Sequence, residues 1–176
     1  MATNPEDIPS PALVSAWETL GTLRTELVPM WAAYWLAQGQ DGEGIVALAS
    51  LNSSDIREVH DLLPDALADA GVEPISKAGA AARLAFDHIA RMHLDGKAGW
   101  RWVLTAVTGV FEQNDYGREF HDDPLGALYG LEDEVAGGWG RRLAEIEVEV
   151  HDACERQVRL TKSEVFDLWA TDLRRP

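Results

Sequence analysis

Apolar residues recur at spacings of three and four through nearly every segment of this chain, and Gly or Pro interrupts the pattern at short intervals. That period lays apolar side chains along one stripe of an α-helix. Leu13, Ala16, Trp17, Leu20, Leu23 and Leu27 follow it, with Ser10 as N-cap, Pro11 as first helical residue and Pro29 ending or kinking the helix. Met30–Gln38 reads as a second helix loaded with Trp31, Tyr34 and Trp35, stopped by Gly39. Glu43–Leu51 is a third, with Ile45, Leu48 and Ala49 inward. Asp55 and Glu58 make a capping-box-like start for the next, with Ser54 as the alternative cap. Ile56, Val59, Leu62 and Leu63 carry it to Pro64, which breaks or restarts the helix before Leu67 and Gly71.

The second half follows the same rule with more ambiguity. Ser76 caps a helix from Lys77 to about Leu94, with Leu84, Ile89 and Met92 at its centre. Trp100–Phe111 repeats Val103, Val107 and Phe111 at four, although its β-branched and aromatic content also suits a strand. A helix is favoured because no hairpin partner is evident. Residues 113–140 are rich in Gly, Asp and Pro and read as a long acidic loop with one short helix around Leu125 to Tyr129. Arg141–Leu160 is helical through Leu143, Ile146, Val150, Cys154 and Val158, despite the strand-like alternation of Glu145–Val150. Ser163 caps a last helix carrying Phe166 and Trp169. The expected fold is all-α, an irregular bundle of about seven short helices. Residues 1–10 form an irregular lead-in, and 11–176 form a single helical domain.

Charge narrows the function. Thirty acidic against fifteen basic residues give a net −15. Segments 41–75 and 112–140 each carry −7, on either side of a mildly basic stretch, 76–111, at +3. Such a surface repels nucleic acid, whose binding rests on phosphate neutralisation, and it repels an anionic membrane. It attracts and steers a basic protein. Simple solubility or adaptation to salt would leave the same composition, with Arg outnumbering Lys twelve to three. The second of two short helices around Asn52–Asp55 has the outline of a helix-turn-helix. Its Asp55, Glu58, Asp61, Asp65 and Asp69 exclude a DNA-reading role.

The first residues, with Glu6 and Asp7, show no basic start or apolar run before a cleavage site, and the longest apolar stretches are too short to span a bilayer. With one cysteine, Cys154, no intrachain disulfide is possible, and a cytoplasmic location is expected. Cys154 sits in a helical pattern one turn after His151. A buried, inert thiol is expected there, because Asp152 and Glu155 would raise its pKa and not lower it.

Three His-Asp dipeptides occur, His60-Asp61, His121-Asp122 and His151-Asp152. His93, His121-Asp122 and then Asp152 or Asp167 lie in an order that resembles the HD-type phosphohydrolases, in residue order alone. That resemblance implies a metal held by His93, His121, Asp122 and Asp152 that activates water for attack on phosphorus. No zinc-finger spacing exists, and Gly137-Gly138-Trp139-Gly140 lacks the Lys-Ser/Thr ending of a phosphate loop. That glycine run reads as a turn letting Trp139 pack before the next helix. Arg141 and Arg142 oppose that helix's dipole, which marks either an anion contact or a contact with the acidic segment upstream.

Three readings remain. The leading one is a non-enzymatic acidic module that neutralises or escorts a basic protein partner, as immunity proteins, adaptors and secretion chaperones do. Its contact candidates are Asp61, Asp65, Asp69, Glu119, Asp122 and Asp123, with Trp139 as an aromatic anchor, and it needs no cofactor. The second is the metal-dependent phosphohydrolase. The third is a helical domain binding a small apolar ligand on Trp31, Tyr34 and Trp35.

Overall fold

The structure is a computed structural model that describes residues 8–172, with side chains described through Lys162. Among the described residues it is 70% helical, with eight α-helices and no strand, so Trp100–Phe111 is helix as favoured. The helices are α1 (Pro11–Thr19), α2 (Val28–Ala37), α3 (Glu43–Ala49), α4 (Ile56–Asp69), α5 (Ala78–Leu94), α6 (Trp100–Gln113), α7 (Leu131–Gly137) and α8 (Leu143–Asp172). Internal contacts divide the span expected as one domain into two compact units, Met1–Lys77 and Ala78–Pro176.

The first unit holds α1–α4. Its start is as read: the Leu13 amide donates to Ser10 Oγ at 3.3 Å, and Pro11 fills the first turn. Its length is not. The helix expected to reach Leu27 ends at Thr19, because Gly21 takes φ +64 and turns the chain left-handed. Leu27 then falls in a 3₁₀ turn, Thr25–Leu27. Pro29 lies in the first turn of α2 and does not end a helix, since a missing N–H costs nothing there. The core gathers Val14, Val28, Trp31, Trp35, Ile45, Leu48, Val59, Leu63 and Leu67. Trp31 and Trp35 are both buried, and the Trp35 indole donates to the Pro9 carbonyl at 3.0 Å. Burying such rings removes roughly 150–250 Å² each, worth about 4–6 kcal/mol apiece.

The seam between α3 and α4 is set by a small residue and a cap. A Cβ on Gly44 would lie 2.7 Å from the Ala66 amide nitrogen, so the two backbones meet where no side chain intervenes. Asp69 Oδ2 accepts from the Gly44 and Ile45 amides at 2.7 and 3.3 Å, satisfying the first turn of α3 from across the seam. The other expected cap does not form. Asp55 instead accepts from the Asn52 amide at 2.9 Å, and no side chain caps α4. Pro64 does not break the helix. An interior proline costs about 3 kcal/mol, and burial of Leu63 and Leu67 returns roughly 1.5–3 kcal/mol each. Packing therefore outweighs the proline, and one helix carries Asp61, Asp65 and Asp69.

The second unit holds α5–α8. α5 packs on α8 through small residues, Ala81, Ala82, Ala85 and Ala90, with Phe86 and Ile89; the opposing α8 face buries Ile146, Val150, Ala153, Cys154 and Gln157. The expected centre of α5 shifts accordingly, with Leu84 and Met92 only half-buried. Along α8, Leu143 is exposed and Val158 half-buried, so the seam rotates onto Gln157. Residues 114–142 are not a long loop. They form 3₁₀ turns at Arg118–Asp122 and Gly126–Leu128, then α7, and they bury Phe120, Leu125, Leu128 and Leu131. The helix expected around Leu125 to Tyr129 is thus only the second of these turns, and α7 is an element the composition hid. Finally, α8 runs unbroken through Ser163, so Ser163 caps no separate last helix. The side chains of Phe166, Asp167 and Trp169 lie outside the described residues.

Candidate functional site

The second unit presents an aromatic ladder running from its core to the surface, set among carboxylates. It begins at the end of α6. The Asn114 side chain donates to the Val110 carbonyl at 2.8 Å, and the next two residues, Asp115 and Tyr116, take φ +49 and +56. Two consecutive non-glycine residues in the left-handed region cost on the order of 1–2 kcal/mol each. The Tyr116 amide still reaches back to the Phe111 carbonyl at 3.0 Å, closing the turn. The turn throws Tyr116 outward, where it is 53% exposed.

Phe111 is the buried foot of the ladder. Its ring meets Phe120 edge-on at 5.5 Å, His121 at 4.7 Å and Tyr129 in a near-parallel stack at 4.5 Å. Tyr129, 36% exposed, in turn touches Tyr116 at 5.8 Å and His121 at 5.9 Å. The Tyr129 phenol is pushed above its ordinary pKa, by desolvation first, then by Tyr116 and the carboxylates of Asp133 and Glu112. It is therefore a neutral ring in a negative field, the environment that attracts a cation to an aromatic face. Glu112, Asp115, Glu119, Asp122 and Asp133 are all exposed along this segment.

The sequence candidates separate sharply. Glu119 and Asp122 lie on the surface of the first 3₁₀ turn, beside the ladder in sequence. Trp139 does not pack before α8 as expected. It stands 63% exposed between left-handed Gly138 and Gly140, crossing the bare Cα of Gly137. Asp123, one residue from Asp122, is buried. Its Oδ1 accepts from Arg83 Nε at 2.9 Å and from Gln157 Nε2 at 3.4 Å, while Gln157 Oε1 accepts from the Leu125 amide at 3.2 Å. Asp123 is thus a structural hub joining α5, the turn segment and α8, not a surface contact. In the first unit, Asp61 is exposed beside Arg57 at 3.9 Å, Asp65 is exposed, and Asp69 is committed to α3. Sequence reasoning missed Tyr116, Tyr129 and Asp133. The signal for Tyr116 was the run Asn114-Asp115-Tyr116-Gly117, rich in residues that tolerate left-handed backbone.

Arg141 and Arg142 resolve as contacts with acids. Arg141 binds Glu134 of α7 through Nη2 at 2.9 Å and through its backbone amide, and it also pairs with Glu149. These bonds hold the Glu134 carboxyl below its ordinary pKa. Arg142 pairs with Glu145 at 2.6 Å, and the Glu145 carboxylate caps the Arg142 amide at 2.9 Å.

The metal and ligand readings fare differently. Among the described residues no three His, Cys, Asp or Glu side chains converge. His121 lies among the aromatic rings and His93 beside His151, so the His93, His121, Asp122 and Asp152 set is not assembled. Of the Trp31, Tyr34 and Trp35 cluster, Trp31 and Trp35 are buried in the core, with Trp17 packed on Trp31 at 5.6 Å, and Tyr34 is half-buried. Burial alone pushes the Cys154 thiol up to about 12, so it is the inert thiol expected. No helix among the described residues is long and apolar enough to cross a membrane. No protein-family model, curated protein or solved structure matches the chain.

Proposed function

We propose that the protein is a non-enzymatic acidic helical module that binds a basic protein partner, in the manner of an inhibitor or adaptor. The observation that carries the reading is the exposed Tyr116–Tyr129 pair, with Tyr116 turned out by the left-handed backbone of Asp115 and Tyr116, among Glu112, Asp115, Glu119, Asp122 and Asp133. Exposed rings supply the desolvated anchors of an interface, and the surrounding carboxylates favour Arg or Lys side chains laid across them. The net −15 adds long-range steering. Backbone strain placed at an exposed aromatic, where packing does not demand it, is the kind of cost that function sustains.

Capture of partners from cells on the tagged protein tests this. Capture is run at about 0.05 M and about 0.5 M NaCl, because the Debye length shrinks from beyond 10 Å to a few ångströms over that range. The expected result is one basic protein, retained at low salt, released at high salt and lost with Tyr116→Ala. Capture of nothing basic, or equal capture by Tyr116→Ala, refutes the reading.

A further inference from the structure

We propose that His93 and His151 form a two-histidine anchor for a borderline divalent cation such as Zn²⁺, Ni²⁺ or Cu²⁺, at a place the binding surface above does not involve. His93 lies in the last turn of α5, and His151 faces it from α8. The outer nitrogen of His93 is hydrogen-bonded, and that of His151 lies near a carboxylate. His93 Nδ1 lies 3.0 Å from the Ala98 carbonyl oxygen, which can only accept, so Nδ1 bears the hydrogen and Nε2 a lone pair. His151 Nε2 lies 3.9 Å from Glu155 Oε1, beyond hydrogen-bond range but close enough for the carboxylate to draw a hydrogen onto that nitrogen when Nδ1 takes a ligand. Glu155 is itself held by Arg159 at 3.3 Å.

The two inner nitrogens, His93 Nε2 and His151 Nδ1, then face each other at 3.4 Å. Before any cation binds, the His151 Nδ1–H donates to the His93 Nε2 lone pair across this gap, and a cation would take that hydrogen's place as it moves to Nε2 beside Glu155. That contact is longer than the roughly 3.0 Å of a well-formed hydrogen bond, so little is lost when a cation replaces it. A tetrahedral zinc with Zn–N of about 2.0–2.1 Å holds two imidazole nitrogens about 3.3–3.4 Å apart. The ring planes are 70° apart with centroids at 5.5 Å, so the rings meet edge to edge and do not stack. The Ala98 carbonyl and the Glu155 carboxylate occupy the outer-sphere places that orient ligating histidines. Imidazole ligation suits zinc, copper and nickel, whereas magnesium and calcium take oxygen ligands. Among the described residues no third ligating side chain joins the pair, and His151 is half exposed. The remaining positions therefore belong to water or to a donor brought by an incoming molecule.

Calorimetric titration of the full chain with ZnCl₂, NiCl₂ and MgCl₂ tests the site, alongside His93→Gln, His151→Gln and, as control, His60→Gln. The expected result is one zinc or nickel per chain, no magnesium, and at least about a tenfold loss of affinity in either site variant but not in the control. Long-range ¹H–¹⁵N spectra of the wild-type imidazoles keep the test independent of how the variants fold. Zinc should move the nitrogens of His93 and His151, most of all His93 Nε2 and His151 Nδ1, and leave those of the other three histidines in place. No binding, binding of undiminished strength in either site variant, or zinc that leaves these two nitrogens unmoved overturns the proposal.

Discussion

Asp123 and Asp122 are neighbours of the same type, and the fold treats them in opposite ways. Asp122 is exposed; Asp123 is buried, with Oδ1 shared by Arg83 and Gln157 and Oδ2 buried without a hydrogen bond among the described residues. Hydrogen bonds to a charged group are worth about 1.5–3 kcal/mol, so Asp123→Ala should lose about 2 kcal/mol in urea unfolding. Asp122→Ala should change stability by less than about 0.5 kcal/mol, as surface substitutions do. Equal losses at the two positions would contradict the hub. Cys154 makes a second prediction at this scale. Its thiol is at about 12 in the fold against an ordinary 9.0. A raised folded pKa contributes stability below the unfolded value, lost as pH climbs from 9 toward 12. At pH 8 a disulfide reagent should label the native protein only as fast as it unfolds, and label it at once in guanidinium.

At the scale of elements, the α3–α4 seam is where local rules and packing contend. Gly44→Ala would drive a methyl to 2.7 Å from backbone, and overpacking of this kind costs about 1–3 kcal/mol. Asp69→Ala removes the cap on α3 for about 1 kcal/mol. The new methyl would also lie 2.9 Å from Asp69 Oδ2, so the double variant should lose less than the sum. Thermal unfolding of the three variants checks both the costs and the coupling. The same seam shows how far the sequence was legible. Helical period alone located α2, α3, α5 and α6, because their apolar stripes are local. The local pattern places a break or restart at Pro64, and the compensation comes from Leu63 and Leu67 packing in the core, which no local pattern displays. The apolar spacing continues across Gly21 to Pro29 and so hides the true end of α1, although a left-handed glycine stops a helix as firmly as proline does. The composition of 113–140 looked like loop, since α7 opens with Glu132, Asp133 and Glu134 and follows glycine. The acids of the candidate site were legible as a segment. Their sorting into surface, cap and buried hub was not, because it depends on where the 3₁₀ turn ends, with Asp122 its last residue and Asp123 already extended, and on the packing that brings α3 to Asp69.

At the scale of the whole chain, net charge should act on stability and on binding with opposite signs. A net −15 repels itself in the folded state, and added salt screens that repulsion. Salt also screens the favourable pairs, among them Arg141 with Glu134 and Glu149, and Arg142 with Glu145. Glu134 is buried while Arg142 is largely exposed, so salt weakens the Arg142–Glu145 pair more than the Arg141–Glu134 pair, and exposed pairs add little. With fifteen acids in excess, the long-range repulsion wins, and the melting temperature should rise as NaCl goes from about 0.01 M to about 0.5 M. Affinity for a basic partner should fall over the same range, because its attraction is screened. The two kinds of residue at the candidate site then separate. Asp133→Asn should flatten the salt dependence and slow association while leaving the high-salt affinity nearly unchanged. Tyr116→Ala should leave the slope alone and cost more than about 1 kcal/mol at every salt concentration, mostly through faster dissociation. Surface plasmon resonance across a salt series reads both effects in one experiment. If Tyr116→Ala changes the slope and Asp133→Asn does not, the ring is acting through its neighbours' charges and not as an anchor. If the melting temperature falls with salt, the ion pairs dominate, and the acidity of the chain holds the fold together instead of opposing it.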